Sequence, residues 1–129
     1  ELLGIVPALH LYSEIAPDAC KVASNSYPDA VALGDITMIS EVQVAKAVAR
    51  APEIEFCLHV FGAPCQDVTG LSGNRKGVSG SRSSLLHETP RIRGILRRTL
   101  GKHCQLQEVC ENVASMSESD QTTYDKVMN

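Results

Sequence analysis

Ile54-Glu55-Phe56-Cys57-Leu58-His59-Val60-Phe61 decides the architecture of this chain. The run is short and mostly apolar, so it reads as a strand buried on both faces, the form strands take in a parallel sheet covered by helices. Upstream, Val42, Ala45, Val48 and Ala49 recur at the spacing of one helix face. That spacing predicts a helix over 41–51, ending before Pro52. Further upstream, 29–33 reads as a strand stopped by Gly34. Residues 18–26 read as a helix with Pro17 in its first turn, and 9–13 as another strand. Downstream, residues 62–84 are rich in Gly and Ser and read as a long loop, a feature that in compact domains is usually functional or disordered. Residues 84–100 can form a helix, which Pro90 and Gly94 are expected to interrupt. A strand over 105–113 and a closing helix over 118–128 complete the chain, and no internal repeat is visible.

Strand and helix alternate throughout. The expected fold is therefore α/β: a Rossmann-like, doubly wound, mostly parallel sheet with helices on both faces. Ligands bind such sheets beyond the carboxyl ends of the strands. The polar residues just past each strand are Glu14, Asp35, Cys65 and Glu111.

Composition sets the outer bounds. With 129 residues, 43% of them hydrophobic, the chain has enough apolar material for the core of one domain. No apolar run approaches the roughly 18 residues of a membrane span, and the opening Glu1-Leu2-Leu3-Gly4 is no signal peptide. The chain does not begin with Met, so it reads as a fragment or a processed product. Trp is absent and aromatics are 4%, which argues against a base-stacking platform. The five cysteines are odd in number and lack Cys-x-x-Cys spacing. Neither a disulfide scaffold nor a zinc ribbon is indicated, and a reducing, intracellular setting is the natural reading. Cys57, His59 and Cys65 are three conceivable metal ligands, but the first two fall in the buried strand. Charge is uneven: residues 1–74 carry net -6, residues 75–103 net +7, and residues 104–129 net -4. The basic stretch points either to a local polyanion contact or to a solvated helix face.

Several residues carry chemistry on their own account. Glu14 and Asp35 are acids at strand ends, where carboxylates either cap the next helix or accept hydrogen bonds from a ribose or an amino group. Gly62-Ala63-Pro64-Cys65-Gln66 takes a thiol out of a buried strand into a loop bearing Arg75, Lys76 and Arg82. Pro64 stiffens that turn, and nearby cations favour a thiolate, which makes Cys65 a candidate nucleophile. A structural cysteine would sit mid-strand, as Cys57 does. The spacing is not that of a tyrosine phosphatase, because position 71 is Leu, and no Gly-x4-Gly-Lys-Ser/Thr phosphate loop occurs. Glu111-Asn112-Val113 closes an apolar strand. An acid there, partly out of water, is placed to donate a proton; otherwise it is an ordinary strand-end carboxylate.

Pro64-Cys65-Gln66 followed by Glu111-Asn112-Val113 resembles the signature pair of the DNA cytosine-C5 methyltransferase family. Tyr12-Ser13-Glu14-Ile15 is similar to the family segment whose acid holds the ribose of S-adenosylmethionine (SAM). Gly34-Asp35-Ile36-Thr37 is similar to the segment whose Asp contacts the adenine. Asn74-Arg75-Lys76-Gly77 and Ser81-Arg82-Ser83-Ser84-Leu85-Leu86 look like the nucleophile loop and its exit, closest to the de novo-type branch. The likeness runs through nearly the whole chain and makes residues 1–129 one partial catalytic domain.

The resemblance implies double-stranded DNA with a flipped cytosine as substrate, or tRNA as in one branch of the family, and SAM as methyl donor. It implies a catalytic set of Cys65, Glu111, Pro64, Gln66 and Asn112. Cys65 would add to C6 of the base, Glu111 would protonate or hydrogen-bond N3, and Asn112 would orient the loop. Glu14, Ile15, Asp35 and Ile36 would bind SAM, while Arg75, Lys76 and Arg82 would meet phosphates. A nuclear setting would follow for a eukaryotic source and a cytoplasmic one otherwise; the sequence leaves the oligomeric state open. The chain departs from the pattern in several places. The first strand and Gly-rich loop, the Arg-bearing segment that also binds the base, the target recognition region and the C-terminal motifs are missing. Ala16 replaces a polar residue, and His87 and Thr89 replace an aromatic and an apolar one. These 129 residues alone are therefore expected to bind SAM poorly and turn over little. A non-catalytic relative, acting as a binding or regulatory module, is the alternative.

Overall fold

The computed structural model describes residues 4, 6–51, 53–62, 83–111 and 117–128. They fall into two compact units, one drawn from Glu1–Glu55 and Ile95–Cys104, the other from Phe56–Gly94 and Gln105–Asn129.

The first unit is built on β1 (Leu11–Tyr12), α1 (Pro17–Ser26), β2 (Val31–Ala32) and α2 (Glu41–Val48). β1 and β2 pair in parallel, Leu11 with Val31 and Tyr12 with Ala32. The ladder continues at both ends through Val31 N–H to His10 O and Leu33 N–H to Tyr12 O, each 2.8 Å. Both strands are shorter than the sequence pattern predicts, because only two residues of each keep regular pairing. α1 has Pro17 in its first turn, where a missing N–H costs no helix bond, and buries no residue. α2 is capped by Ser40, whose Oγ accepts from Gln43 N–H at 3.2 Å. Its Val44 and Ala47, one turn apart, are buried, and with Ile39, Ile95, Leu96 and Leu100 they form this unit's buried apolar set. Fully burying a side chain such as Val44 contributes about 2 kcal/mol.

The second unit contains β3 (Phe56–Gly62), the first turns of α3 (Glu88–Leu100), β4 (Gln105–Glu111) and α4 (Glu118–Met128). β3 and β4 pair in parallel in unbroken register from Phe56 with Gln105 to Gly62 with Glu111. α3 runs without a break, contrary to the expectation that Pro90 and Gly94 interrupt it. Pro90 lies in the first turn, where backbone N–H groups have no helical acceptor. Gly94 costs at most about 1 kcal/mol, a penalty offset by the buried stripe Ile92, Ile95, Leu96 and Leu100. A short 3-10 helix, Ser83–His87, leads into it and buries Leu86. Thr89 is buried and His87 exposed.

Side chains alternate along the β3–β4 pair. On one face His59 Nδ1 meets Glu108 Oε1 at 2.9 Å, and Arg93 of α3 donates from Nε to Glu108 Oε2 at 2.5 Å. Arg93 Nη2 also donates to the Met128 carbonyl at 2.8 Å, and Cys110 Sγ meets the hydroxyl of buried Tyr124. These bonds hold α3 and α4 against that face. The opposite face carries Phe56, Leu58, Val60 and Val109, each between 51% and 63% exposed. The expectation of burial on both faces is thus corrected: the pair is covered on one side.

The described residues are α/β with parallel strands, arranged as two two-stranded sheets. Among them no helix is long and apolar enough to cross a membrane.

Glu108 is held by the Arg93 guanidinium and the His59 ring in a setting only 14–20% exposed. Removing it leaves Arg93 short of its carboxylate, and breaking such pairs costs about 3 kcal/mol. We expect Glu108→Ala to lower stability by about 2–3 kcal/mol in urea unfolding, and Glu118→Ala, an exposed residue of α4, to change it by less than about 0.5 kcal/mol.

Candidate functional site

The carboxyl ends of β1 and β2 bring Glu14 and Asp35 to adjacent strand tips. Gly34 makes this possible. It turns the chain at φ +77°, a conformation open to glycine and strained for other residues, and its carbonyl accepts from Ser13 Oγ at 2.7 Å. That bond joins the two tips.

Each acid is engaged locally through one oxygen. Glu14 Oε1 accepts from the backbone N–H groups of Ile15 and Ala16, at 2.7 and 2.8 Å, just ahead of α1. Asp35 Oδ1 accepts from Thr37 N–H at 2.9 Å and Thr37 Oγ1 at 2.8 Å, capping the 3-10 helix Ile36–Met38. The capping alternative therefore holds for Asp35; Glu14 instead binds the two amides that lead into α1, whose N-cap, Ala16, has no side-chain cap. The bonds favour the ionised forms: the Ala16 and Ile15 amides hold Glu14 below its ordinary 4.5, and the Thr37 amide and hydroxyl hold Asp35 below its ordinary 3.8. Among the described residues, Glu14 Oε2 and Asp35 Oδ2 accept no hydrogen bond. Exposed Ile15 and Met38 stand beside the acids, and Ile36 is half-buried. The group is two carboxylates flanked by apolar side chains at one sheet edge.

In the other unit, β3 and β4 end at the same level, Gly62 opposite Glu111. Glu111 is exposed, so the partial desolvation expected of it is absent here. Pro64, Cys65, Gln66, Arg75, Lys76, Arg82 and Asn112 lie outside the described residues.

The structure revises the basic stretch. Arg91 pairs with Glu88 at 2.5 Å, Arg93 with Glu108, and Arg98 with Glu41 at 2.8 Å. Three of the four arginines of α3 thus have carboxylate partners inside the chain, which leaves the helical part of the stretch less cationic than its composition. Cys57 and His59 sit on β3, and His59 is held by Glu108. No group of three potential metal ligands occurs among the described residues.

Sequence reasoning missed the His59–Glu108–Arg93 network. His59 and Glu108 share the inward parity of their strands, but pairing them needed the β3–β4 register. It also missed the Ser13–Gly34 bond, for which the one signal was Ser13 preceding a strand-end acid.

No family model matches the chain. It is 34% identical over 80 residues to Type II methyltransferase M.NlaIV of Neisseria lactamica and, to the same extent, to Type II methyltransferase M.NgoBV of Neisseria gonorrhoeae. The match takes in 62% of this chain and 16% of each relative, so the chain spans about a sixth of their length.

Two measurements bear on the β1–β2 tips. Carboxyl carbon NMR titration should give midpoints below 4.5 for Glu14 and below 3.8 for Asp35. Because folding lowers both, the stabilisation from these hydrogen bonds is complete above the ordinary carboxylate range and fades as the pH falls towards the folded midpoints. Glu14→Gln should flatten this acid limb of the stability curve. Gly34→Ala should cost about 1–2 kcal/mol in denaturant unfolding, the strain of a side chain at that backbone angle.

Proposed function

We propose that this chain is part of a methyltransferase that moves a methyl group from SAM to C5 of a cytosine in DNA through a covalent cysteine adduct. The observation that carries the reading is the β3–β4 register: the strand before Pro64-Cys65-Gln66 and the strand ending in Glu111 finish side by side, Gly62 opposite Glu111. Neighbouring parallel strands are about 4.8 Å apart, and three residues of chain extend at most about 11 Å. A sulfur leaving one tip and a carboxyl on the other are then within reach of opposite edges of one pyrimidine ring. The likeness to two Type II methyltransferases supports the same class of reaction. Residues 1–129 would form one part of a doubly wound catalytic domain.

The residues at the β1–β2 tips fit the cofactor. Glu14 and Asp35 each keep one oxygen clear of their local hydrogen bonds, the acceptors a ribose diol and an adenine amino group require, with Ile15 and Ile36 as apolar flanks. SAM, when bound, supplies the methyl group. The chain's own residues do the rest. A duplex cytosine must first leave the base stack. The Cys65 thiolate bonds to C6 while Glu111 gives a proton or hydrogen bond to N3, so the negative charge developing in the ring is neutralised and C5 becomes nucleophilic. After methylation, loss of the C5 proton expels Cys65 and restores the ring. Pro64 and Gln66 shape the nucleophile turn, Asn112 orients it, and Arg75, Lys76 and Arg82 hold phosphates.

Trapping tests the reading. The protein carrying this chain, given SAM and duplex DNA with 5-fluorocytosine, should form an adduct that survives denaturation, because fluorine at C5 cannot leave as a proton. Cys65→Ser should abolish it, and Glu111→Gln should slow it about 10²-fold or more. Fluorinated tRNA trapped in place of DNA would transfer the reading to the RNA branch, and no adduct with either would favour a non-catalytic module.

A further inference from the structure

Gly62 and Glu111 share more than a register position. A Cβ built on Gly62 would lie 3.1 Å from Glu111 Oε2 and 3.4 Å from the Glu111 carbonyl oxygen. The carbonyl distance is ordinary contact, but 3.1 Å is closer than a Cβ normally comes to a neighbour, so a side chain at position 62 would press the carboxylate aside by a few tenths of an ångström. The backbone does not demand glycine there, since Gly62 is not among the glycines with positive φ. What the missing side chain provides is room, and the room is filled by the end of the Glu111 side chain.

We propose that Gly62 is a positioning residue. Its bare Cα forms a notch at the tip of β3 that seats the Glu111 carboxylate beside the point where the chain leaves that strand for Cys65. The inference rests on the reading of Glu111 as the acid that meets the base. Strand parity puts Gly62 and Glu111 on the face of Phe56, Leu58, Val60 and Val109, while Glu108 with His59 and Arg93 occupies the other. The Glu111 seat is thus a steric contact on the face away from that network, which touches it only through the strand register. Alanine at position 62 would move Oε2 by a few tenths of an ångström, which a flexible carboxylate allows at little cost to the fold. A hydrogen bond to a ring nitrogen is less tolerant. Misplacement by about 1 Å costs about 10²-fold in rate, so a shift of a few tenths should cost up to about tenfold.

Two experiments test this separately from the reaction itself. In the 129-residue chain, NMR should show a nuclear Overhauser contact between Gly62 Hα and Glu111 Hγ. Gly62→Ala should move the Glu111 carboxyl resonance and leave those of His59 and Glu108 in place. Adding Glu111→Asp, whose shorter side chain clears the notch, should remove most of that response. In the protein that forms the fluorocytosine adduct, Gly62→Ala should slow adduct formation about tenfold at unchanged affinity for DNA. Absence of the Overhauser contact in the wild-type chain, which needs no variant to fold, overturns the inference. So does a Glu111 signal unmoved by Gly62→Ala, or adduct formation at the wild-type rate. A wild-type protein that forms no adduct removes the methyltransferase reading, whereas the two NMR results still decide whether Gly62 seats the carboxylate.

Discussion

The parallel register of β3 on β4 governs the second unit and the candidate site with it. Side chains alternate between faces, so a slip of one residue would exchange the two faces of one strand. Glu108 would leave His59 and Arg93, Cys110 would leave Tyr124, and Glu111 would lose its place against Gly62. The ionic network on the covered face makes such a slip costly, because it would strand charges only 14–20% exposed without partners. The same bonds that fasten α3 and the end of α4 to the sheet therefore set which residues stand at its carboxyl edge.

The first unit solves a smaller problem with local means. Two residues of regular pairing per strand are too few to hold a tip rigidly. The left-handed turn at Gly34, the Ser13–Gly34 bond, the Asp35 cap and the bonds from Glu14 to the Ile15 and Ala16 amides supply the order. Glu14 and Asp35 were ambiguous between capping and ligand roles. Each carboxylate has two oxygens and uses one for its local backbone bonds, so a structural role and a ligand role are compatible at one residue.

Much of this was legible in the sequence. Every strand and helix read from periodicity is present, since apolar spacing, Pro17 and the stop before Pro52 act within a few residues. A helix starting at Ser84 puts Pro90 in its interior; the observed start at Glu88 puts Pro90 in the first turn, where no helical bond is lost. Residues 54–61 have the composition of a strand covered twice, yet composition cannot say what supplies the cover. Five cations on the stretch from Arg91 to Lys102 looked like a free surface, but Glu41 and Glu108, distant in sequence, neutralise two of them. Of the candidate site, the two acids at the β1–β2 tips and Glu111 could be placed at strand ends from sequence. The seat of Glu111 against Gly62 could not, because it depends on which strand lies next to which.

The open face of the β3–β4 pair has a practical side. Phe56, Leu58, Val60 and Val109 form a greasy strip on that face. Water wets such a strip grudgingly, and salting-out ions such as sulfate or phosphate sharpen the reluctance. Handled by itself, the polypeptide should clump in those salts sooner than its modest net charge of -3 implies, and a charged residue in place of Leu58 would keep it dispersed.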